Sequence, residues 1–306
     1  MITPIIDEDR YQTYPRSLGI YSNNHTSKAS QHTARCCRYH RLLYLNTRDL
    51  KLARVKMADN SISGRLALVT GASGGIGAAC ARKLASSGSH LALTYSTSKD
   101  KIDTLVGELN ESSKGLRISI HKVDMGSVED ITRMFQEIQD QHKAPVDILV
   151  SNAGYGKRIV DVSDIPLEEF EYTLNINLRA SFLLVKGVVE GMKAQKFGRI
   201  IFVSSIAAYG GGINGCHYAA SKGGLMAMMK NLSSRLVQYN ISVNDVAPAM
   251  IEATGMIPNA AAVPGVVETI PIGRFGQPSE IANAVEMFAT TGYCTGQSLI
   301  VAGGLK

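Results

Sequence analysis

The 306-residue chain has no apolar run approaching the ~18–20 residues that span a bilayer, and it has no secretory signal. Neither a membrane partner nor export is expected. Its five cysteines, Cys36, Cys37, Cys80, Cys216 and Cys294, are odd in number and scattered, without metal-ligand spacing. They read as reduced thiols of an intracellular compartment, and no metal site is expected. The core also lacks excess charge. Residues 1–56 hold ten Lys/Arg and four Asp/Glu, which accounts for the whole net charge of +6, and residues 57–306 carry 22 of each sign. A nucleic-acid-binding core has no basis in that balance. No internal repeat or low-complexity tract interrupts residues 62–306.

Residues 1–61 form an N-terminal extension without a clean apolar period, rich in Tyr, Arg, His, Ser and Thr, and they read as disordered. A mitochondrial transit peptide is the alternative, given Arg35, Arg38, Arg41, Arg48 and Arg54, although Asp7, Glu8 and Asp9 oppose it. A third reading takes Met57 as the natural start and the upstream stretch as a gene-model artefact. The expected localisation is cytoplasmic, with the mitochondrial matrix as the alternative.

Across residues 62–306, short Val/Ile/Leu-rich runs alternate with longer helical patterns. Strands are expected at 66–70, 90–95, 117–123, 148–151, 199–203, 241–246 and 299–301. Helices are expected at 75–87, 101–111, 128–141, 167–194, 216–238 and 278–288. Strands apolar on both faces and separated by helices imply a parallel sheet covered on two sides. The expected class is α/β: a single doubly wound Rossmann domain with a seven-stranded parallel sheet and helices on both faces.

Gly71, Gly75 and Gly77 follow the first strand and open a helix, in Thr70-Gly71-Ala72-Ser73-Gly74-Gly75-Ile76-Gly77. Glycine allows a tight turn and close approach of the backbone to a pyrophosphate, and the helix N-terminus offers free N–H groups. The second strand ends Tyr95-Ser96-Thr97-Ser98-Lys99, with no carboxylate until Asp100. An acid there would bind the ribose 2′-hydroxyl of NAD, whereas hydroxyls plus Lys99 suit the 2′-phosphate of NADP. The bland alternative is a polar loop that does not discriminate.

Tyr218 and Lys222 share one helix face at i and i+4, and Ser205 lies thirteen residues before the tyrosine. An ammonium beside a phenol is expected to lower its pKa, making Tyr218 a general acid–base for carbonyl chemistry. Ser205 can polarise a substrate carbonyl, and Lys222 can also hold ribose hydroxyls. Alone, Tyr-x-x-x-Lys is common on exposed helices. The glycine turn and Ser205 give it meaning.

With these motifs in place, the core resembles a short-chain dehydrogenase/reductase over about residues 62–306. The resemblance implies that Gly71, Ser73, Gly75, Ile76 and Gly77 bind the cofactor, with Tyr95 and Ser96 at the end of the second strand. Asp124 and Met125 match the adenine contact. Ser151-Asn152-Ala153-Gly154 matches the Asn-Asn-Ala-Gly motif, placing Asn152, Ala153 and Gly154 on the cofactor. Asn177 matches the asparagine that bends its helix and holds a proton-relaying water, the bland alternative being a helix-interior polar group facing solvent. Asn177, Ser205, Tyr218 and Lys222 are the implied catalytic set, Tyr218 and Lys222 also touching the cofactor, with pro-S hydride transfer. Two departures stand out. Pro248-Ala249 replaces Pro-Gly, and Ala253 stands where a Thr is expected, with Thr254 one position later. Pro248 and the backbone of Ile251 are still expected to contact cofactor.

Within that family the pattern is most similar to 3-oxoacyl-[acyl-carrier-protein] reductases and fungal ketoreductases. The expected reaction is NADPH-dependent reduction of a ketone on a small-molecule carbonyl substrate, a 3-oxoacyl thioester bound to an acyl carrier. A ketoreductase or alcohol dehydrogenase of secondary metabolism is the alternative, and a non-catalytic dinucleotide-binding scaffold a further one. Residues 250–270, with Met250, Ile251, Met256, Ile257, Val263, Val266, Val267 and Ile270, should form a lid, either lining an acyl site or merely packing it closed. Arg158 and Arg179 are candidates for docking a phosphopantetheine carrier. The apolar excess on helices 167–194 and 216–238 suggests a homodimer or homotetramer, which the resemblance also implies.

Overall fold

The computed structural model describes residues 59–210, 213–257, 259 and 265–306. Expectations for the first 58 residues, including Cys36, Cys37 and Met57, lie outside the described residues.

Seven strands run parallel in one sheet: β1 (Leu66–Val69), β2 (His90–Tyr95), β3 (Ile118–Lys122), β4 (Ile148–Ser151), β5 (Gly198–Val203), β6 (Ile241–Pro248) and β7 (Ser298–Val301). Their spatial order is β3-β2-β1-β4-β5-β6-β7. Chain direction around the sheet therefore reverses between β1 and β4, and the crevice at the carboxyl ends of those strands is where open α/β sheets bind ligands. The helices are α1 (Gly75–Ser86), α2 (Lys99–Ser112), α3 (Val128–His142), α4 (Leu167–Leu174), α5 (Ala180–Gln195), α6 (Cys216–Leu236) and α7 (Pro278–Thr290).

The uninterrupted apolar strands divide their alternate side chains between two cores. Ala67 and Val69 join Val150, Val203 and Val246 under α1, α2 and α7. Leu66 and Leu68 join Leu149, Phe202 and Val243 under α3, α5 and α6. Helix ends follow local chemistry: Ser127 caps α3 by accepting from the Asp130 N–H, and Gln277 with Glu280 forms a capping box ahead of Pro278 in α7.

One expected element is divided. The pattern over 167–194 predicts a single helix, yet a π-helical turn at Asn175–Arg179 separates α4 from α5. Asn177 explains the widening. It is 1% exposed, so it does not face solvent, and it turns its amide onto the chain after β4. Its Oδ1 accepts from the Tyr155 N–H at 2.8 Å, and its Nδ2 donates to the Tyr155 carbonyl and to Ser221 Oγ, both at 2.9 Å. A saturated side chain in the core fixes this local expansion of the ladder.

Candidate active site

The glycine turn closes against β4. The Thr70 hydroxyl accepts from the N–H groups of Asn152 and Ala153, each at 3.0 Å. The Asn152 side chain donates to the carbonyls of Thr70 at 2.8 Å and Gly71 at 3.3 Å. The Thr94 hydroxyl accepts from the Gly71 N–H at 3.1 Å. Asn152 thus spends its amide on holding the turn. Thr70 and Thr94 are positioning groups that the sequence reading passed over, because hydroxyls at strand ends carry no distinctive spacing.

The turn is shaped for close approach. Gly71 has φ +66, and a Cβ there would lie 3.1 Å from both Ala153 Cα and Asn152 Nδ2. A Cβ at Gly77 would fall 2.3 Å from the Gly71 carbonyl oxygen, and one at Gly75 would fall 2.0 Å from that of Ala253. Gly74, the N-cap of α1, supplies no side-chain cap to the first-turn N–H groups. Free amides at a glycine-lined helix start match a pyrophosphate. The residues therefore fit a dinucleotide. Ser73 and Ile76 lie on the same turn, partly exposed.

The adenosine end is less fully built. Tyr95 is buried at the end of β2, while Ser96 is exposed. Lys99 is exposed and pairs with Asp103 at 2.6 Å, so its ammonium is shared with a carboxylate. Asp124 is exposed, and its Oδ1 accepts from the Gly126 N–H at 2.8 Å; Met125 beside it is buried. Arg179, expected at a carrier dock, donates to the Gly126 carbonyl at 2.5 Å, and Arg158 is exposed.

Ser205, Tyr218, Lys222 and Asn177 gather beyond the carboxyl ends of β4 and β5. Ser205 lies close enough to Tyr218 to oppose the rise of its pKa, and its Oγ accepts from the Ala207 N–H at 3.2 Å. Lys222 Nζ donates to the Val203 carbonyl at 3.0 Å and lies 5.7 Å from the centre of the Tyr218 ring. A Cβ built on Gly154 would sit 3.3 Å from both Asn177 Oδ1 and Lys222 Nζ, which puts these groups on either side of one small gap.

The electrostatics differ from expectation. Burial pushes the Tyr218 phenol up to about 12, with the Ser205 hydrogen bond opposing, whereas the sequence argument has Lys222 lowering it. Burial also brings Lys222 down to about 8, opposed by the charge of Asp245. Both groups are almost sealed from water, at 5% and 4% exposure, so desolvation of the charged form is the leading cause of each shift.

The segment after β6 is strained at two positions other than Ala249, where the expected glycine is missing. Met250 and Ala253 both have positive φ, +52 and +55, a conformation that costs non-glycine residues about 1–3 kcal/mol each. Pro248 ends β6, and Ile251 is buried in a bridge to Gly276 made by the Met250 carbonyl and the Glu252 N–H. The Thr254 hydroxyl closes the turn, donating to the Ile251 carbonyl and accepting from the Ile257 N–H, both at 3.1 Å. Much of the expected lid packs on itself: Ile257 and Ile270 cluster with Phe275, flanked by Met250, Val266 and Val267. Val263 lies outside the described residues. Met256 is the exception, 45% exposed, its Cε 3.0 Å from a Cβ built on Gly156, which in turn would stand 3.2 Å from the Tyr218 ring.

A separate groove of about 800 Å³ runs between α1, α2 and α7, lined by Ser73, Gly74, Arg82, Lys101 and Asn283 among others. It touches the glycine turn from behind and includes none of Ser205, Tyr218 or Lys222. No cluster of three metal-ligating side chains occurs among the described residues. No helix among them is long and apolar enough to cross a membrane. Cys80, Cys216 and Cys294 carry no disulfide.

Comparison with known proteins agrees with this fold. The short chain dehydrogenase profile matches residues 65–263. The 3-oxoacyl-[acyl-carrier-protein] reductase FabG of Rickettsia bellii is 35% identical over 248 residues, covering 80% of this chain and 98% of its own. Dehydrogenase/reductase SDR family member 4 of Bos taurus is 33% identical over 263 residues, covering 84% and 93%. The crystal structure of levodione reductase superimposes with a TM-score of 0.73 at 25% identity, covering 79% of this chain and 98% of that one.

Proposed function

Because the chain belongs to the short-chain dehydrogenase family, and so to oxidoreductases of carbonyl and alcohol groups that bind a nicotinamide dinucleotide, we propose that it reduces 3-oxoacyl thioesters with NADPH. The observation that carries the reading is the gathering of Ser205, buried Tyr218 and buried Lys222 at the ends of β4 and β5, opposite a glycine turn fitted to a pyrophosphate.

Gly71, Ser73, Gly75, Ile76 and Gly77 would hold the pyrophosphate, and Tyr95 and Ser96 the adenosine ribose. Asp124 and Met125 would meet the adenine. Asn152, Ala153, Gly154, Tyr218, Lys222, Pro248 and Ile251 would line the nicotinamide half. When bound, the cofactor supplies hydride. Ser205 donates a hydrogen bond to the substrate carbonyl oxygen, which raises the electrophilicity of its carbon. Tyr218, kept protonated by burial, donates its proton to that oxygen as negative charge develops there. Lys222 returns a proton toward Tyr218, and Asn177, clamped between Tyr155 and Ser221, orients the route.

The acyl-carrier substrate is supported by the 3-oxoacyl-[acyl-carrier-protein] reductase relatives. A ketoreductase or alcohol dehydrogenase of secondary metabolism is the second reading, favoured by a lid whose apolar residues largely pack on one another. Phe182 and Tyr172, 53% and 49% exposed on α5 and α4, support assembly as a homodimer or homotetramer, which light scattering would test.

The testing experiment follows cofactor oxidation with acetoacetyl thioester, using NADPH and NADH in parallel, with wild type and Tyr218→Phe. Turnover that needs NADPH is expected, with kcat reduced about 10²–10⁴-fold in the variant and cofactor affinity retained. Wild-type turnover by Tyr218→Phe would overturn the assignment.

A further inference from the structure

Asp245 lies in the middle of β6, within a strand whose eight residues are all buried, and it is 0% exposed. A valine would serve the fold there without the cost of burying a carboxylate. Side chains alternate along β6, and Val243 packs with Leu225 and Met229 of α6. Asp245, two residues on, therefore faces the same helix, which carries Lys222.

Its surroundings are polar and specific. Oδ2 accepts from the Ser204 hydroxyl, which adjoins Ser205. Ser298 of β7, paired with Asp245 across the sheet, also helps hold the carboxyl pKa down. Oδ1 has no partner among the described residues. Among the described residues, the charged groups acting on it come from α6: Lys222, buried, and Lys230, exposed and bonded to the Gly296 carbonyl at 2.6 Å. From the turn after β5, the Tyr209 hydroxyl reaches Ser298 Oγ at 2.5 Å, and Tyr209 is 45% exposed. The carboxylate itself is fully buried, beside a serine whose hydroxyl meets a partly exposed tyrosine.

Lys222 donates to a neutral carbonyl, which cannot balance its charge. We propose that Asp245 is a positioning residue for the reaction: the internal counter-charge that keeps Lys222 an ammonium in a water-excluded site. Coulomb attraction in such a site is several-fold stronger than at the surface. The raised carboxyl pKa of Asp245, caused by burial, is held back by Ser204, Ser298, Lys230 and Lys222, in keeping with a charge retained by its donors. This inference rests on the functional reading above, which gives Lys222 its role.

The test compares wild type with Asp245→Asn and Asp245→Val, measuring kcat/KM and nicotinamide-cofactor affinity from pH 6 to 10. Both variants should match wild type near pH 6 and lose activity and affinity on an alkaline limb moved down by about one pH unit. An alkaline limb that coincides with wild type, whatever the change in Tm, overturns the proposal. Failure of both variants to fold also overturns it, because Asp245 would then serve the fold rather than the site. Absence of turnover in the wild type sinks the thioester reading alone, since cofactor affinity still reports on Lys222.

Discussion

Lys222 Nζ donates at 3.0 Å to the carbonyl of Val203, the last residue of β5, two residues before Ser205. This contact ties the helix that carries Tyr218 to the strand that delivers Ser205. With Lys222 depressed to about 8, the ammonium is complete below that pH and is lost as pH rises through it. Tyr218, pushed up to about 12, keeps its proton across the neutral range. Carbonyl reduction should therefore be flat near neutrality and fall about tenfold per unit well above pH 8, as a pH profile of kcat/KM would reveal. A profile still flat at pH 10 would contradict it.

Gly75 is pinned under the carbonyl of Ala253, where a Cβ would approach to 2.0 Å. Gly75→Ala should force apart the glycine turn and the segment after β6. Cofactor Kd should rise by about tenfold or more, and Tm should fall. Calorimetric titration with NADPH measures the first, and unchanged affinity would refute the expected fit.

Cofactor choice should turn on Ser96, exposed at the end of β2, since Lys99 is paired with Asp103. Ser96→Asp would place a carboxylate where a 2′-phosphate is expected. The ratio of kcat/KM for NADPH over NADH should drop by about tenfold or more. A wild-type preference for NADH would reject the NADP reading outright.

Stability should carry a histidine signature remote from the site. His142 is 2% exposed, its Nε2 sits 2.9 Å from Ser119 Oγ, and burial brings it down to about 4, with Arg117 adding to the effect. Its folded pKa lies below the unfolded value of about 6.5, so the unfolded chain binds more protons between them. Stability is present above about pH 6.5 and is lost toward pH 4, by up to about 3 kcal/mol. His142→Gln should flatten the fall of Tm over that window, and an unaltered slope would assign it to other groups.

Most of the fold was legible in the linear chain. Apolar runs such as Leu66–Val69 are buried on both faces, so the strands announce themselves by composition, and helices such as Val128–His142 by an amphipathic pattern. The break at Asn175–Arg179 was hidden from periodicity, because a π-turn adds no residue type of its own. It follows from partners, Tyr155 and Ser221, that lie 22 and 44 residues away.

The candidate site divides the same way. Tyr218 and Lys222 are legible because four residues make one helix turn, and Gly71, Gly75 and Gly77 because only glycine admits such close backbone approach. Asp245 left a signal, an acid inside the run 241–246, but its meaning needed α6 laid across β6. The rise of Tyr218 to about 12 needed burial, which no local spacing encodes. Sequence determined which residues could act, through short-range geometry and side-chain chemistry. Tertiary structure decided their charge states and their companions, because desolvation and long-range contact exist only once the sheet and its two helical layers have closed.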